Sequence, residues 1–477
     1  MTAPDLTAPD TLATAIARFV AGLTLDSLPP DVVEKARVCL LNGYGIALGG
    51  HDTPYAPVAR AAALALHGER SDGATMLGDN TSGRSRRTSV PGAALAGSAL
   101  FHGRAQEDTC GAAHIGAVLI PLLTALVEAG HGPVERLLPA LVAGYEAGGL
   151  LENAFSPLTT PAGLRASPLY GTVAAAAGTA CLLGLPEERI AAALANAASF
   201  TGGILQSFDD GTDEWRYQVG VAAVNGLTAA RLAAAGSVSA PRAFEGRTGF
   251  VRAFARTGCD PVELAARLGR DWSIHRVTFK PYPVCAFNQS PVTAALALRE
   301  EVAGRAIRSV TVRMNPFETG YAGMDSKGPF ASISGTLMSI PFCIALTLLR
   351  GVPTMETMTR YDDGAVNALV ERVALVPDEG VRRLCCAIEV MLEDGTALTR
   401  RQDMTTDDFS LPWEAVSALV RRIGDETGVP ADAYDRIERF ARALPGAAMD
   451  DVLEAFGRLP DHPHQASVSL VKGVGNG

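Results

Sequence analysis

The sequence predicts a mostly α-helical protein, with a large all-helical domain and a smaller α/β lid domain inserted before the C-terminal helices. Three observations carry this. From Thr11 to about Arg270, Ala, Leu and Gly recur at three- and four-residue spacing, the period of helices with a buried face. Alternating, β-like runs are confined to 309–313, 372–376 and 384–392. The helical period then returns over 412–423, 431–444 and 449–459. The boundaries that follow are 1–272 and 406–477 for a discontinuous helical domain and 273–405 for the lid.

In chain order, the first helices fall at 12–23, 30–49, 54–66, 92–101 and 117–129, then at 134–151, 172–183, 187–198 and 218–235. Small residues dominate their apolar faces, which lets helices approach closely and favours a multi-helix core. Punctuation agrees: Leu185-Pro186-Glu187-Glu188 places a proline and acids in a first turn, and Ala129-Gly130-His131-Gly132 closes a helix. In the lid, helices are expected at 289–301 and 339–349, and Glu393-Asp394-Gly395-Thr396 reads as a hairpin turn after the strand 384–392. The tail from Asp461, with His462 and His464, has the composition of a frayed end.

The chain has 477 residues, 48 % of them hydrophobic and 19 % charged, with a mean hydropathy of +0.16. That is enough to bury a sizeable core, and it excludes wholesale disorder. The net charge of −10 without a basic block excludes a nucleic-acid or membrane-surface binder. No apolar run is long enough to span a bilayer, and residues 1–10 lack the charged and apolar regions of a leader, so the expected location is the cytoplasm. The eight cysteines contain no CxxC pair and read as reduced core residues. Of 41 basic residues only Lys35, Lys280, Lys327 and Lys472 are lysines. Lys280 is the one expected in an apolar setting, where a lysine, unlike an arginine, can trade its proton.

Polar chemistry is concentrated in four islands. The first runs from Ala99 to Gly116 and carries Glu107, Asp108, Thr109, Cys110 and His114 between two apolar helices. A carboxylate beside a His fixes an imidazole tautomer for acid/base work; the other reading is an Asp that caps the next helix and a His that packs. The second, 206–220, places Arg216 near a helix start, where it binds a carboxylate or pairs with one of its acidic neighbours. The third, 277–289, holds Lys280 among aromatics and prolines, as a proton carrier of lowered pKa or as a snorkelling surface lysine. The fourth, 315–325, offers Tyr321, either to a cleft or to packing. Zinc-protease, nucleotide-phosphate, serine-hydrolase and dinucleotide motifs are absent.

In order along the chain, these islands resemble the 2-methylcitrate dehydratase and cis-aconitate decarboxylase (MmgE/PrpD) family. The matching marks include Asp108-Thr109 followed by His114, Gly144-Tyr145-Glu146, Gly171-Thr172, the run Gln206 to Gly211, Asn225-Gly226, Phe279-Lys280-x-Tyr-Pro-x-Cys and Ser339-x-Pro-Phe. The resemblance implies a helical domain with an α/β lid, a homodimer, no metal or other cofactor, and an interdomain cleft for small polycarboxylates. It places Asp108, Thr109, His114 and Lys280 on family active-site positions. Ser167-Pro168-Leu169-Tyr170 stands where many members have His-Pro, Arg216 stands for a Lys, and a His near Asn288 is missing.

The expected activity is a metal-independent lyase, a dehydratase or decarboxylase, acting on a small di- or tricarboxylate by proton transfer next to a carboxylate. His114, Lys280 and Asp108 are the expected catalytic groups, with Asp108 orienting His114 or acting as base. Thr109, Arg216, Tyr321, Tyr170 and Ser167 are expected to bind substrate. An isomerase or epimerase in the same fold is the alternative, and a helical scaffold without activity is a third reading.

Overall fold

Close packing of small residues sets the helical body. In the computed structural model, which describes residues 11–80 and 85–460, helix Ala166–Leu182 lies between Leu137–Thr159 and Glu214–Ala234. The helices meet so tightly that a Cβ at Gly226 would stand 2.6 Å from the Thr172 carbonyl oxygen. Only small side chains permit such contact. The chain is mostly helical, as its period predicts: Pro30–Gly49 opens on a proline, and Thr11 caps Leu12–Ala21 by accepting from the Thr14 amide. Most boundaries fall near those expected, but Leu137–Thr159 runs well past the expected end at 151 and Ala166–Leu182 begins well before the expected start at 172. One large apolar core joins these helices to the C-terminal ones, of which Trp413–Thr427 and Ala431–Ala443 pack on Pro30–Gly49.

Among the described residues, the largest sheet has four strands in the order Val373–Pro377, Ile307–Met314, Cys386–Leu392, Ala397–Gln402, the first pair parallel and the others antiparallel. Burial alternates along Cys386–Leu392, so one face rests on helix Gln289–Val302 and the other meets solvent. The expected hairpin forms: the Thr396 amide donates to Asp394 and Gly395 takes φ +86°. This second apolar core also draws in Tyr55, Ala105, Leu205, Phe208 and Trp215 from the first half of the chain.

Two short pairings carry no periodic signal and were not expected. Glu69–Thr75 pairs with Arg87–Thr88, and Thr109–Cys110 pairs antiparallel with Val277–Thr278. The second pairing positions the site, because it lays the first polar island against the third. All eight cysteines are free thiols. Among the described residues no helix is long and apolar enough to cross a membrane. The expectations for residues 1–10 and for the tail from Asp461 lie outside the described residues.

Candidate active site

Helix Val90–Phe101 ends at His102, the chain turns through Ala105 at φ 55°, and helix Ile115–Glu128 restarts from His114 as its N-cap residue. The loop between them is polar yet buried: Gln106, Glu107, Asp108 and Thr109 are each 3 % exposed or less. Buried polar groups must find partners, and here the partners define the site.

Glu107 is the hub. Its Oε1 lies 2.7 Å from His102 Nδ1, 2.5 Å from His114 Nδ1 and 3.7 Å from Lys280 Nζ. On the far side of His102, Nε2 is 2.7 Å from a guanidinium nitrogen of Arg165. An arginine has only donors to offer, so His102 Nε2 accepts and its proton sits on Nδ1, facing Glu107. His114 Nδ1 meets only acceptors, Glu107 Oε1 and the Asp108 carbonyl oxygen at 3.2 Å. Its proton is therefore also on Nδ1, which leaves Nε2 with a lone pair.

The electrostatics agree. Burial, with Lys280 adding to it, lowers the His114 pKa to about 4, so the imidazole is a neutral base near pH 7. Burial holds His102 well below its ordinary value as well. Burial pushes Glu107 up, but His102, Lys280 and His114 outweigh it and keep this carboxyl ionised well below the usual range. Lys280, 3 % exposed, is lowered by burial, with Glu107 opposing. Its ammonium donates to the Ala105 carbonyl oxygen.

His114, Lys280, Thr109 and Tyr321 line one cleft together with Phe208, Trp215, Cys285, Phe287, Leu337 and Met338. The other candidate residues stand elsewhere. It is Glu107, and not the side chain of Asp108, that orients His114: the Asp108 carboxylate turns away and accepts from Tyr145 Oη. Burial there raises Asp108 to about 7. Arg216 is fully buried behind the cleft wall, bonded to Ser334 Oγ at 2.5 Å and Asp213 at 3.3 Å and stacked on Tyr55 and Trp215; the acid-paired reading holds for it. Ser167 serves the backbone, its Oγ accepting from the His114 amide at 3.1 Å. Tyr170 bonds Thr159 Oγ1 at 2.7 Å and packs on Phe250, so neither residue faces the cleft. Thr109 Oγ1 is 2.8 Å from Thr278 Oγ1 across the short strand pair.

Lys280 is not alone as a buried lysine. Lys35, 9 % exposed, bonds Ser410 Oγ at 2.8 Å and stands over the Phe279 ring. Asp31, Glu34 and Arg37 flank it on the same helix, so the local pattern reads as an ordinary charged face. Arg165 and Glu107 were not singled out by sequence, because nothing near Arg165 signals a partner 63 residues away. Glu107, two residues from Thr109, was within reach of the same argument that selected Asp108.

Among the described residues, His102, Glu107 and His114 are the one group whose ligand atoms lie close enough together, within 4.8 Å, to be offered to a metal. The set fits hydrogen bonding better. Both Nδ1 atoms point at one oxygen, Lys280 borders that oxygen and Arg165 holds the far nitrogen of His102, so a metal would add a third positive charge to the group.

Residues 14–260 match the MmgE/PrpD N-terminal domain and residues 282–418 the MmgE/PrpD C-terminal domain. The chain is 25 % identical to the cis-aconitate decarboxylase-like protein oryM of Aspergillus oryzae, over 94 % of this chain and 97 % of that protein. It is 27 % identical to the cis-aconitate decarboxylase of Aspergillus terreus, over 75 % of this chain and 76 % of that enzyme.

Proposed function

The chain belongs to the MmgE/PrpD family, and from that premise we propose that it is a lyase that moves a proton at the carbon next to a carboxylate and expels water or carbon dioxide from a small organic acid. One observation supports this above the rest: a neutral imidazole with a free Nε2 and a buried ammonium share a cleft and are tied to the same oxygen of Glu107. A base and a cation so placed suit a reaction that builds charge beside a carboxylate.

In this reading the substrate carboxylate sits on Lys280 and Thr109. For dehydration, His114 Nε2 takes the proton from the adjacent carbon, the electron pair forms the double bond, and the β-hydroxyl leaves as water with a proton returned by the imidazolium. For decarboxylation, the C–C pair passes to the carbon as carbon dioxide leaves, and that carbon takes a proton from Lys280. Glu107 and His102 hold His114 in the productive tautomer throughout. Neither route calls on a metal, so turnover is expected to survive dialysis against a chelator. Residues 273–405 serve as the lid in this proposal. The homodimer implied by the resemblance belongs to it too, and light scattering reads it.

The test is a screen of carboxylic acids, beginning with cis-aconitate, for a rise in melting temperature, followed by mass analysis for loss of water or carbon dioxide. Binding without any such loss would overturn the lyase reading. The same base and ammonium also suit an isomerase, which returns the proton to the substrate. Solvent deuterium entering recovered acid with no new product would select that alternative.

A further inference from the structure

The charge in the cleft does not match a tricarboxylate. Among the described residues that line it, Lys280 carries the one charge, and most of the wall is aromatic or aliphatic, with Phe208, Trp215, Phe287, Leu337 and Met338. The nearby cations Arg165 and Arg216 lie behind that wall, held by the Trp215 carbonyl oxygen, His102, Ser334 and Asp213. A trianion would leave carboxylates unpaired against apolar side chains, which carries a large desolvation penalty.

Space gives a second, independent indication. The inner cleft measures only about 50 Å³, less than a small ligand site usually offers. Tyr321 lines it, packed on Phe208 and Phe287 with ring centroids 6.1 and 5.3 Å away. The same Tyr321 lines an outer groove of about 540 Å³, whose wall sets Ile204, Leu205, Pro316 and Phe317 beside the polar Thr160 and Gln206. The one charged residue lining the groove, among those described, is an acid, Asp209, whose Oδ1 accepts from the Gly323 amide at 3.1 Å.

We propose that the acid taken by this site has an apolar arm: one carboxylate rests on Lys280 beside Thr109, and an alkyl or aryl chain passes Tyr321 into the outer groove. Besides the anchored carboxylate, the substrate carries at most the one that leaves. This deepens the lyase reading and rests on it only for the reacting end.

The test is calorimetric binding of 2-alkylmaleates, methyl to octyl, to the full chain, with cis-aconitate as the trianionic probe. Affinity is expected to rise about fourfold per methylene, the worth of burying one such group, until the groove is filled, and to pass that of cis-aconitate. Ile204→Arg, at a position 58 % exposed, is expected to remove the dependence on chain length. No gain with chain length, or tightest binding of cis-aconitate, would overturn the proposal. The reaction is read on the matching 2-alkylmalates, which carry the β-hydroxyl that the maleates lack: long-chain members that bind but lose neither water nor carbon dioxide would sink the lyase reading and leave the arm in place.

Discussion

His114 Nδ1 lies 2.5 Å from Glu107 Oε1, the oxygen that His102 Nδ1 also reaches at 2.7 Å. One carboxylate oxygen thus sets two imidazoles, and Arg165 on the outer face of His102 fixes the tautomer of that ring. The tautomer of His114 is set by its own two acceptors, Glu107 and the Asp108 carbonyl oxygen.

Glu107→Gln keeps the shape of the hub and removes its charge. Without the carboxylate, the Nδ1 proton of His114 loses its charged acceptor and the base is no longer held in one tautomer. Turnover is expected to fall by roughly 10²-fold or more, the usual worth of a positioned acid/base group, with KM little changed. Steady-state kinetics on any acid found in the screen checks this.

Lys280→Arg keeps a cation but not an exchangeable proton. If Lys280 both anchors the carboxylate and gives the proton, this variant retains binding and loses turnover. Lys280→Met is expected to lose both. Calorimetry set against product formation separates the two roles.

The pH dependence of stability has two opposing parts. The folded pKa of His114, about 4, lies below the ordinary value near 6.5. The unfolded chain therefore binds more protons between these values, and the stability from this group, complete above about pH 6.5, is lost as pH falls toward 4. Asp108 has the reverse sign. Raised to about 7, it contributes stability at low pH that is lost as pH rises through 7. Asp108→Asn, which cannot ionise, is expected to gain in melting temperature over the parent as pH goes from 5 to 8.5. A parallel pair of melting curves would contradict this.

Gly116→Ala tests the packing behind the site. A Cβ there would run into the Asp108 carboxylate and approach Tyr145 Oη to 2.7 Å. These two groups are already bonded to each other and have no room to yield. A loss of about 1–3 kcal/mol in chemical denaturation is expected, the usual cost of overpacking.

The long helices were legible because they keep their period over three turns or more, as Pro30–Gly49 and Glu187–Phe200 do; short ones such as Gln206–Asp210 and Met355–Met358 have no period to read. The hairpin after Leu392 was legible from Asp394-Gly395. The two-residue pairing of Thr109–Cys110 with Val277–Thr278 was not, since a strand that short has no alternation to read. That His114 and Lys280 share a cleft followed from the resemblance rather than from the pattern of residues. What neither supplied was direction: Asp108 and Glu107 are adjacent and acidic, and successive side chains on an extended segment point to opposite sides. Only coordinates decide which faces the imidazole. The direction of Arg216 was not legible for a related reason, because a cation near a helix start can turn to a ligand or back to an acid, and Asp213 and Ser334 hold it here.

The most direct test of the account is the rate of product formation by His114→Gln on the best acid from the screen, measured beside the parent enzyme at pH 7. A free Nε2 acting as the base predicts a fall of about 10²–10⁴-fold with the melting temperature nearly unchanged. Turnover within a few-fold of the parent would contradict it and remove the imidazole from the chemistry.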